Sequence, residues 1–153
     1  MLAVVFAALL AQPADVAHCE LARSFELRRG WNEIAGWMLP DIEGRNYGAS
    51  YICSGTKRKI VVMQLMDRTP QGLPVWRYIS ELTLPKFGRG EDILENGVCT
   101  RDGKDDEFLV PFGTFSKDGQ AHVRHAWRIE LPSGKIHLVD ISRVKCEASL
   151  EQD

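Results

Sequence analysis

The alternation of apolar and polar residues in short runs restricts this fold more than any other feature. Residues 120–131 (QAHVRHAWRIEL) alternate with a period of two, which is typical of a β-strand with one buried face. The turn sequences SKDG and PSGK flank this run, so three consecutive antiparallel strands are predicted over residues 107–146. The predicted apolar face carries Val123, His125, Trp127, Ile129 and Leu131, and the polar face carries His122, Arg124, Arg128 and Glu130.

Further strands are predicted in the middle of the chain. Residues 49–67 read as a strand, a tight turn at Gly55 and a second strand. Because residues 60–66 are apolar on both faces, we expect a central strand that is covered on both sides. Residues 75–84 alternate again and predict a half-buried strand. In residues 107–115, Pro111 lacks a backbone N–H and indicates an edge strand or a bulge.

Two segments are less regular. Residues 24–39 (SFELRRGWNEIAGWML) place apolar residues at helical spacing, although two glycines argue against one long helix. Residues 85–106 form a long connection, with one helical turn expected at EDILEN. The predicted fold class is therefore mainly β: an antiparallel β-sandwich or small barrel with one or two short N-terminal helices. We expect residues 18–153 to form a single domain, because about 136 residues is the size of one.

The N-terminal segment predicts export. The run Leu2–Ala11 is uncharged, and its ten residues are too few to cross a bilayer, which needs about twenty. It fits the apolar part of a secretory signal peptide that comprises residues 1–17, with cleavage after Ala14 or Ala17. No Lys or Arg precedes the run, so a buried N-terminal helix of a cytosolic domain is the alternative. The predicted location is periplasmic or secreted.

The cysteines agree with an oxidising compartment. There are four of them, Cys19, Cys53, Cys99 and Cys146, and no Cys-x-x-Cys pair of the kind found in zinc or redox motifs. An even number of cysteines in an exported domain predicts two disulfides. Three pairings are open, and we favour Cys53–Cys99 nested inside Cys19–Cys146.

Charge and composition exclude several classes of function. The chain has 19 basic and 21 acidic residues and no long basic run, so nucleic acid is not a predicted partner. No second long apolar stretch follows Ala11, so no transmembrane helix is predicted. The acidic residues 102–107 lack the EF-hand spacing, and His122 and His125 point to opposite faces of a strand. No metal or cofactor is therefore predicted.

One short stretch resembles a known family. The sequence YICSG at Tyr51–Gly55 is similar to a strand of the periplasmic inhibitors of c-type lysozyme, which are small exported β-barrel proteins with paired cysteines. The inhibitory Ser-Gly-x-x-Tyr motif of that family is absent, because the third residue after Gly55 is Arg58. The similarity covers one strand and implies the class of function, inhibition by binding, rather than membership of the family.

The predicted function is that of an exported binding module, either a protein inhibitor or an immunity-type envelope protein. The chain lacks a Gly-x-Ser-x-Gly nucleophile motif, and a connection as long as residues 85–106 is often functional in a compact domain. We expect this connection and the polar face of strand 120–131 to bind another protein, one with an acidic surface. The predicted partner-binding residues are Lys86, Phe87, Arg89, His122, Arg124 and Arg128.

Two alternative functions remain open at the level of sequence. One is a small secreted hydrolase that uses His125 with a carboxylate such as Asp140. A cleft that brings this pair together with Ser54 would favour it. The other is a structural envelope component, held in an assembly by an exposed sheet edge.

The prediction of export is tested by the mass of the protein. Material secreted by the native host should lack its first 14 to 17 residues and should contain no free thiol, because a signal peptidase and an oxidising compartment act on it. Intact-mass spectrometry with thiol labelling measures both properties. Full-length protein with four reactive thiols would contradict the prediction.

Overall fold

The computed structural model describes Cys19 and residues 26–28, 30–94 and 97–148. The predicted signal peptide, residues 1–17, lies outside the described residues. Within the described residues, no helix has the length and hydrophobicity needed to cross a membrane.

The first half of the chain forms one antiparallel five-stranded sheet, in which each strand pairs with the next in sequence. The predicted turn at Gly55 is confirmed, since this glycine has a φ of 58° between the third and fourth strands. The strands of this sheet are β1 (Glu26–Arg28), β2 (Trp31–Ile42), β3 (Arg45–Ser54), β4 (Lys57–Arg68) and β5 (Pro74–Thr83).

The second half forms two smaller sheets. One has the strand order β11-β10-β9-β6, and the other has the order β12-β7-β8. The strands are β6 (Asp92–Ile93), β7 (Gly97–Arg101), β8 (Lys104–Asp105), β9 (Leu109–Phe115), β10 (Ala121–Glu130), β11 (Lys135–Leu138) and β12 (Val144–Ala148), with a 3-10 turn at Ile141–Arg143.

Strand β9 of the four-stranded sheet is buried on both faces. Val110 and Phe112 on one face of β9 pack against the five-stranded sheet and form the first core. Leu109 on the opposite face belongs to a second core, which includes Val144 and Cys146 from β12. Every residue from Leu109 to Gly113 is therefore buried. This sheet is the middle layer of the fold.

The prediction for Pro111 is refined by this arrangement. β9 pairs with β10 on one side and with β6 on the other, so it is not an edge strand. The bulge lies instead in the facing strand β10, between Val123 and His125.

The helices predicted within residues 24–39 are not present in the described residues of that segment. Residues 31–42 form β2, and the only helical turn within residues 26–28, 30–94 and 97–148 is the 3-10 turn. A bulge between Glu33 and Ala35 shifts the alternation of β2, so its apolar residues mimic a helical spacing in the sequence. The described strands form open sheets and do not close into the alternative small barrel.

Two further expectations about the second half were wrong. The connection 85–106 contains the short strands β6, β7 and β8, and residues 91–94 contain no helical turn. Residues 136–146, expected as one strand, are divided between β11 and β12. Asp140 separates them, because its side chain accepts the Ser142 N–H at 3.0 Å and caps the intervening 3-10 turn.

The disulfides confirm the prediction that all four cysteines are bonded, but they contradict the favoured pairing. Cys19 bonds to Cys53, and Cys99 bonds to Cys146. The second pair is a direct consequence of register, because Cys99 and Cys146 face each other in the β7–β12 ladder with their Cα atoms 4.1 Å apart. Two such bonds fit an oxidising compartment.

Trp127 is predicted to be essential to the first core. Its side chain is 6 % exposed, so Trp127→Ala should lower the free energy of unfolding by about 3–5 kcal/mol through lost burial and the remaining cavity. Urea unfolding followed by circular dichroism measures this change. Leu138→Ala is the matched control, because Leu138 is 68 % exposed, and the effect there should stay within about 0.5 kcal/mol. Equal effects of the two substitutions would contradict the assignment of the core.

Candidate functional site

The bulge in β10 decides which predicted residues share a face. Arg124 is the extra residue, because Val123 and His125 pair with consecutive residues of β9. Val123 and Ala126 both contact the second core although they are three positions apart, whereas Trp127 packs in the first core. In a regular strand, residues three apart point to opposite faces, so the bulge has reversed the alternation.

A glycine in the neighbouring strand allows this bulge. A Cβ atom at Gly113 would lie 2.0 Å from the carbonyl oxygen of His122, closer than any real contact. Only glycine therefore lets the β10 backbone approach β9 so closely at this point. The position of the bulge depends on one residue that carries no side chain.

The reversal places Arg128 on the face opposite to His122, so the basic residues predicted on one polar face do not all share it. Arg128 is bound within the fold: its Nε lies 2.9 Å from Asp106 Oδ2, and its guanidinium lies 5.2 Å from the Phe108 ring. Since this positive charge is already paired, it contributes less to an external partner. The role of His122, Arg124 and Arg128 in partner binding stays a prediction.

Two carboxylates of the acidic segment 102–107 are bound to arginines within the fold. The side chain of Asp106 is only 8 % exposed and also pairs with Arg101 at 2.9 Å. Asp102 accepts hydrogen bonds from Arg143, one of them at 2.8 Å, and this contact holds the pKa of the Asp102 carboxyl below its usual value. Two arginine–carboxylate contacts thus fasten this segment to β10 and to the 3-10 turn.

The connection between β5 and β6, residues 84–91, is anchored by an aromatic side chain. The Phe87 ring stacks on Phe112 with 4.7 Å between centroids, and it also contacts His125 and Trp127. Phe87 is therefore an inward anchor of this segment, while its neighbours Lys86 and Arg89 are exposed. The predicted loop and the face of β10 that carries His125 are brought into contact.

Glu91 completes the attachment of this segment. One of its carboxylate oxygens accepts the Gly88 N–H at 2.8 Å and lies 3.9 Å from His125 Nε2. The His125 ring also stacks on Trp127 at 5.8 Å. Glu91 is thus an acidic neighbour of His125, and the Asp140 carboxylate caps the 3-10 turn. The hydrolase alternative stays a prediction.

A groove of about 680 Å³ separates the first half of β10 from β12. The two strands meet at one end, where Gln120 and Glu147 form an isolated bridge, and the described residues show no other pairing between them. The apolar lining comes mainly from residues that also contact the second core. The lining residues are Asp118, Gly119, Gln120, Ala121, His122, Val123, Arg124, Ile141, Val144, Lys145, Cys146 and Glu147.

The charges along this groove are polarised. Asp118 and Glu147 lie at the bridged end, whereas Arg124 lies four residues along β10 toward the open end. The hydroxyl of Ser116 donates to Asp118 and lowers the pKa of its carboxyl, so this end stays negative at neutral pH. Continuing the antiparallel register from the bridge places Lys145 across from His122. The open end therefore carries Arg124, whereas His122 lies close enough to Asp118 to contribute to the lowered pKa of its carboxyl.

Lys145 is a groove residue that the sequence analysis missed. It lies between Val144 and Cys146, so the alternation of apolar and polar residues would have placed it on an exposed face. This alternation was not used, because residues 136–146 were expected to form one continuous strand. Within the described residues, no cluster of three or more His, Cys, Asp or Glu side chains has the geometry of a metal site.

Comparison with protein-family models, with curated proteins and with solved structures finds no match to this chain. Its function must therefore be argued from its own geometry.

The carboxylate of Asp106 is predicted to stabilise the fold by pairing with both Arg101 and Arg128. Asp106→Asn removes the charge shared by Arg101 and Arg128 and should lower the free energy of unfolding by about 2–4 kcal/mol, since breaking a buried ion pair leaves uncompensated charge. Chemical denaturation measures the change. Asp105→Asn is the neighbouring control, because Asp105 is exposed and its loss should cost less than about 0.5 kcal/mol. A neutral Asp106→Asn would show that the two arginines are held by other contacts.

Proposed function

We propose that this chain is an exported protein-binding module of the inhibitor or immunity type, and that the β10–β12 groove receives a segment of its partner. The observation that carries the proposal is the groove itself, about 680 Å³ in volume, apolar at its base and polarised along its length. The groove is lined by His122 and Arg124, two of the residues predicted from sequence, together with Lys145.

The chemistry of the groove favours a protein segment with an apolar side chain followed by an acidic one. Val123 and Val144 offer an apolar base for the first. The guanidinium of Arg124 presents planar donors that match a carboxylate, and the ammonium of Lys145 adds a second positive charge. The negative bridged end around Asp118 would repel an acidic segment placed in the reverse direction, which supports a single orientation.

The rigidity of the surroundings supports binding without large rearrangement. The disulfide between Cys99 and Cys146 joins β12 to β7, and Phe87 fixes the segment that carries Lys86 and Arg89. A surface that is already ordered loses less conformational entropy when it binds. The same two disulfides that support export thus support a preorganised binding surface.

The proposal is tested by comparing captured proteins. The tagged mature protein and a variant with Arg124→Glu and Lys145→Glu are used to capture proteins from envelope extract of the native host. The wild type should retain a partner that the variant loses, because charge reversal places two carboxylates in the groove in place of two cations. Once the partner has been identified by mass spectrometry, calorimetry should give an affinity at least tenfold weaker for the variant, about 1.4 kcal/mol or more.

A matched double variant controls for the change in net charge. Arg45→Glu with Lys57→Glu makes the same change at two exposed positions of the five-stranded sheet. This variant should bind like the wild type, and both variants should unfold at nearly the same temperature as the wild type. Equal losses of affinity in the two variants would mean that net charge alone matters, and the groove would not be the binding site.

A further inference from the structure

The outer face of the five-stranded sheet carries a row of apolar side chains that no described element covers. Met38, Gly48, Met63 and Tyr78 are neighbours in register across strands β2 to β5. Met38 is 56 % exposed and Tyr78 is 53 % exposed, although both are large apolar residues in a sheet. Contiguous apolar surface of this kind is typical of a binding site.

Trp76 forms one wall of a groove on this face. The edge of its indole lies over Gly48, and a Cβ atom at that glycine would be 3.1 Å from the ring. Any larger residue at Gly48 would push the indole away from the sheet. The groove has a volume of about 350 Å³ and is lined by Glu33, Gly36, Trp37, Met38, Gly48, Ala49, Ser50, Met63 and Trp76.

A carboxylate lies in the same groove. Glu33 is half-buried and accepts a hydrogen bond from the hydroxyl of Ser50, which is itself buried. A Cβ atom at Gly36 would lie 2.5 Å from Glu33 Oε1, so this second glycine makes room for the carboxylate beside β2. Gly48 therefore leaves space for the indole of Trp76, and Gly36 leaves space for the carboxylate of Glu33.

Glu33 has no cationic partner among the described residues. Lys59 lies on the same face, in the row that continues from Glu33 through Ile52. Its ammonium, however, is paired with Glu81 and lies 4.8 Å from the centre of the Trp31 ring. A half-buried carboxylate that lacks a counter-charge is a favourable position for an incoming cation.

We propose that this groove binds the guanidinium group of an arginine side chain from a partner protein. A guanidinium can stack on the indole of Trp76 while it donates two hydrogen bonds to the carboxylate of Glu33. The methylene groups of the arginine would lie along Met38 and Met63, whose flexible side chains adapt to such contacts. A lysine ammonium also supplies a positive charge, but it lacks the planar face that stacks on the indole and the paired donors that match the carboxylate. Arginine is therefore preferred.

This site goes beyond the proposed function and is independent of it. It lies on the outer face of the five-stranded sheet, whereas the β10–β12 groove borders the second core. The two sites also select opposite charges, an acidic segment in the β10–β12 groove and a basic side chain beside Trp76. Either site can therefore be removed by substitution without changing the other.

Peptide titration with NMR detection tests the inference. The probe is acetyl-Gly-Gly-Arg-Gly-Gly-amide, and the reporter is the indole N–H resonance of Trp76, assigned from its disappearance in Trp76→Leu. The resonance should shift saturably in the wild type. The citrulline and lysine versions of the peptide should bind at least tenfold more weakly, since citrulline has no charge and lysine has no planar fork.

Substitution of the carboxylate supplies the second arm of the test. Glu33→Gln keeps an acceptor for Ser50 but removes the charge, so binding of the arginine peptide should weaken at least tenfold. Glu107→Gln, at an exposed position outside the groove, should bind like the wild type. The inference is overturned if the wild type shows no saturable shift, if the citrulline or lysine peptide binds as well as the arginine peptide, or if folded Glu33→Gln binds like the wild type.

Discussion

The ring of Phe112 is the point at which the parts of this fold meet. It is fully buried, and it contacts Tyr51 of the five-stranded sheet, Phe87 of the segment between β5 and β6, and Trp127 of β10. Edge-to-face and stacked aromatic contacts of this kind add to the stabilisation that burial alone gives. The position of the 84–91 segment beside β10 therefore depends on the same side chain that joins the two larger sheets.

The second determinant of the fold is the backbone geometry at Gly113 rather than side-chain packing. Because Gly113 admits the β10 backbone, Arg124 becomes an extra residue and the strand changes faces at that point. Without this bulge, Val123 would leave the second core. Gly113 therefore affects both the position of Arg124 at the groove and the packing of Val123 in the second core.

The sequence predicted the elements whose partners are close along the chain. The hairpin around Gly55 and the buried position of Trp127 follow from local turn residues and alternation, and both are confirmed. The Cys99–Cys146 disulfide and the position of β12 beside the groove depend on the pairing of β12 with β7, two strands that are distant in sequence. A single sequence contains no signal for that pairing. Local patterns also could not show that a bulge would separate His122 from Arg128, because the bulge depends on an approach between strands.

The order of the disulfides along the chain bears on how the protein matures. Cys19 joins Cys53, and Cys99 joins Cys146, so each bond links consecutive cysteines and the two covalent loops do not overlap. In a chain that enters an oxidising compartment N-terminus first, both cysteines of the first bond emerge before the third cysteine. Oxidation in the order of emergence gives the native pairing directly. For such a chain, the native pairs form without rearrangement of incorrect disulfides.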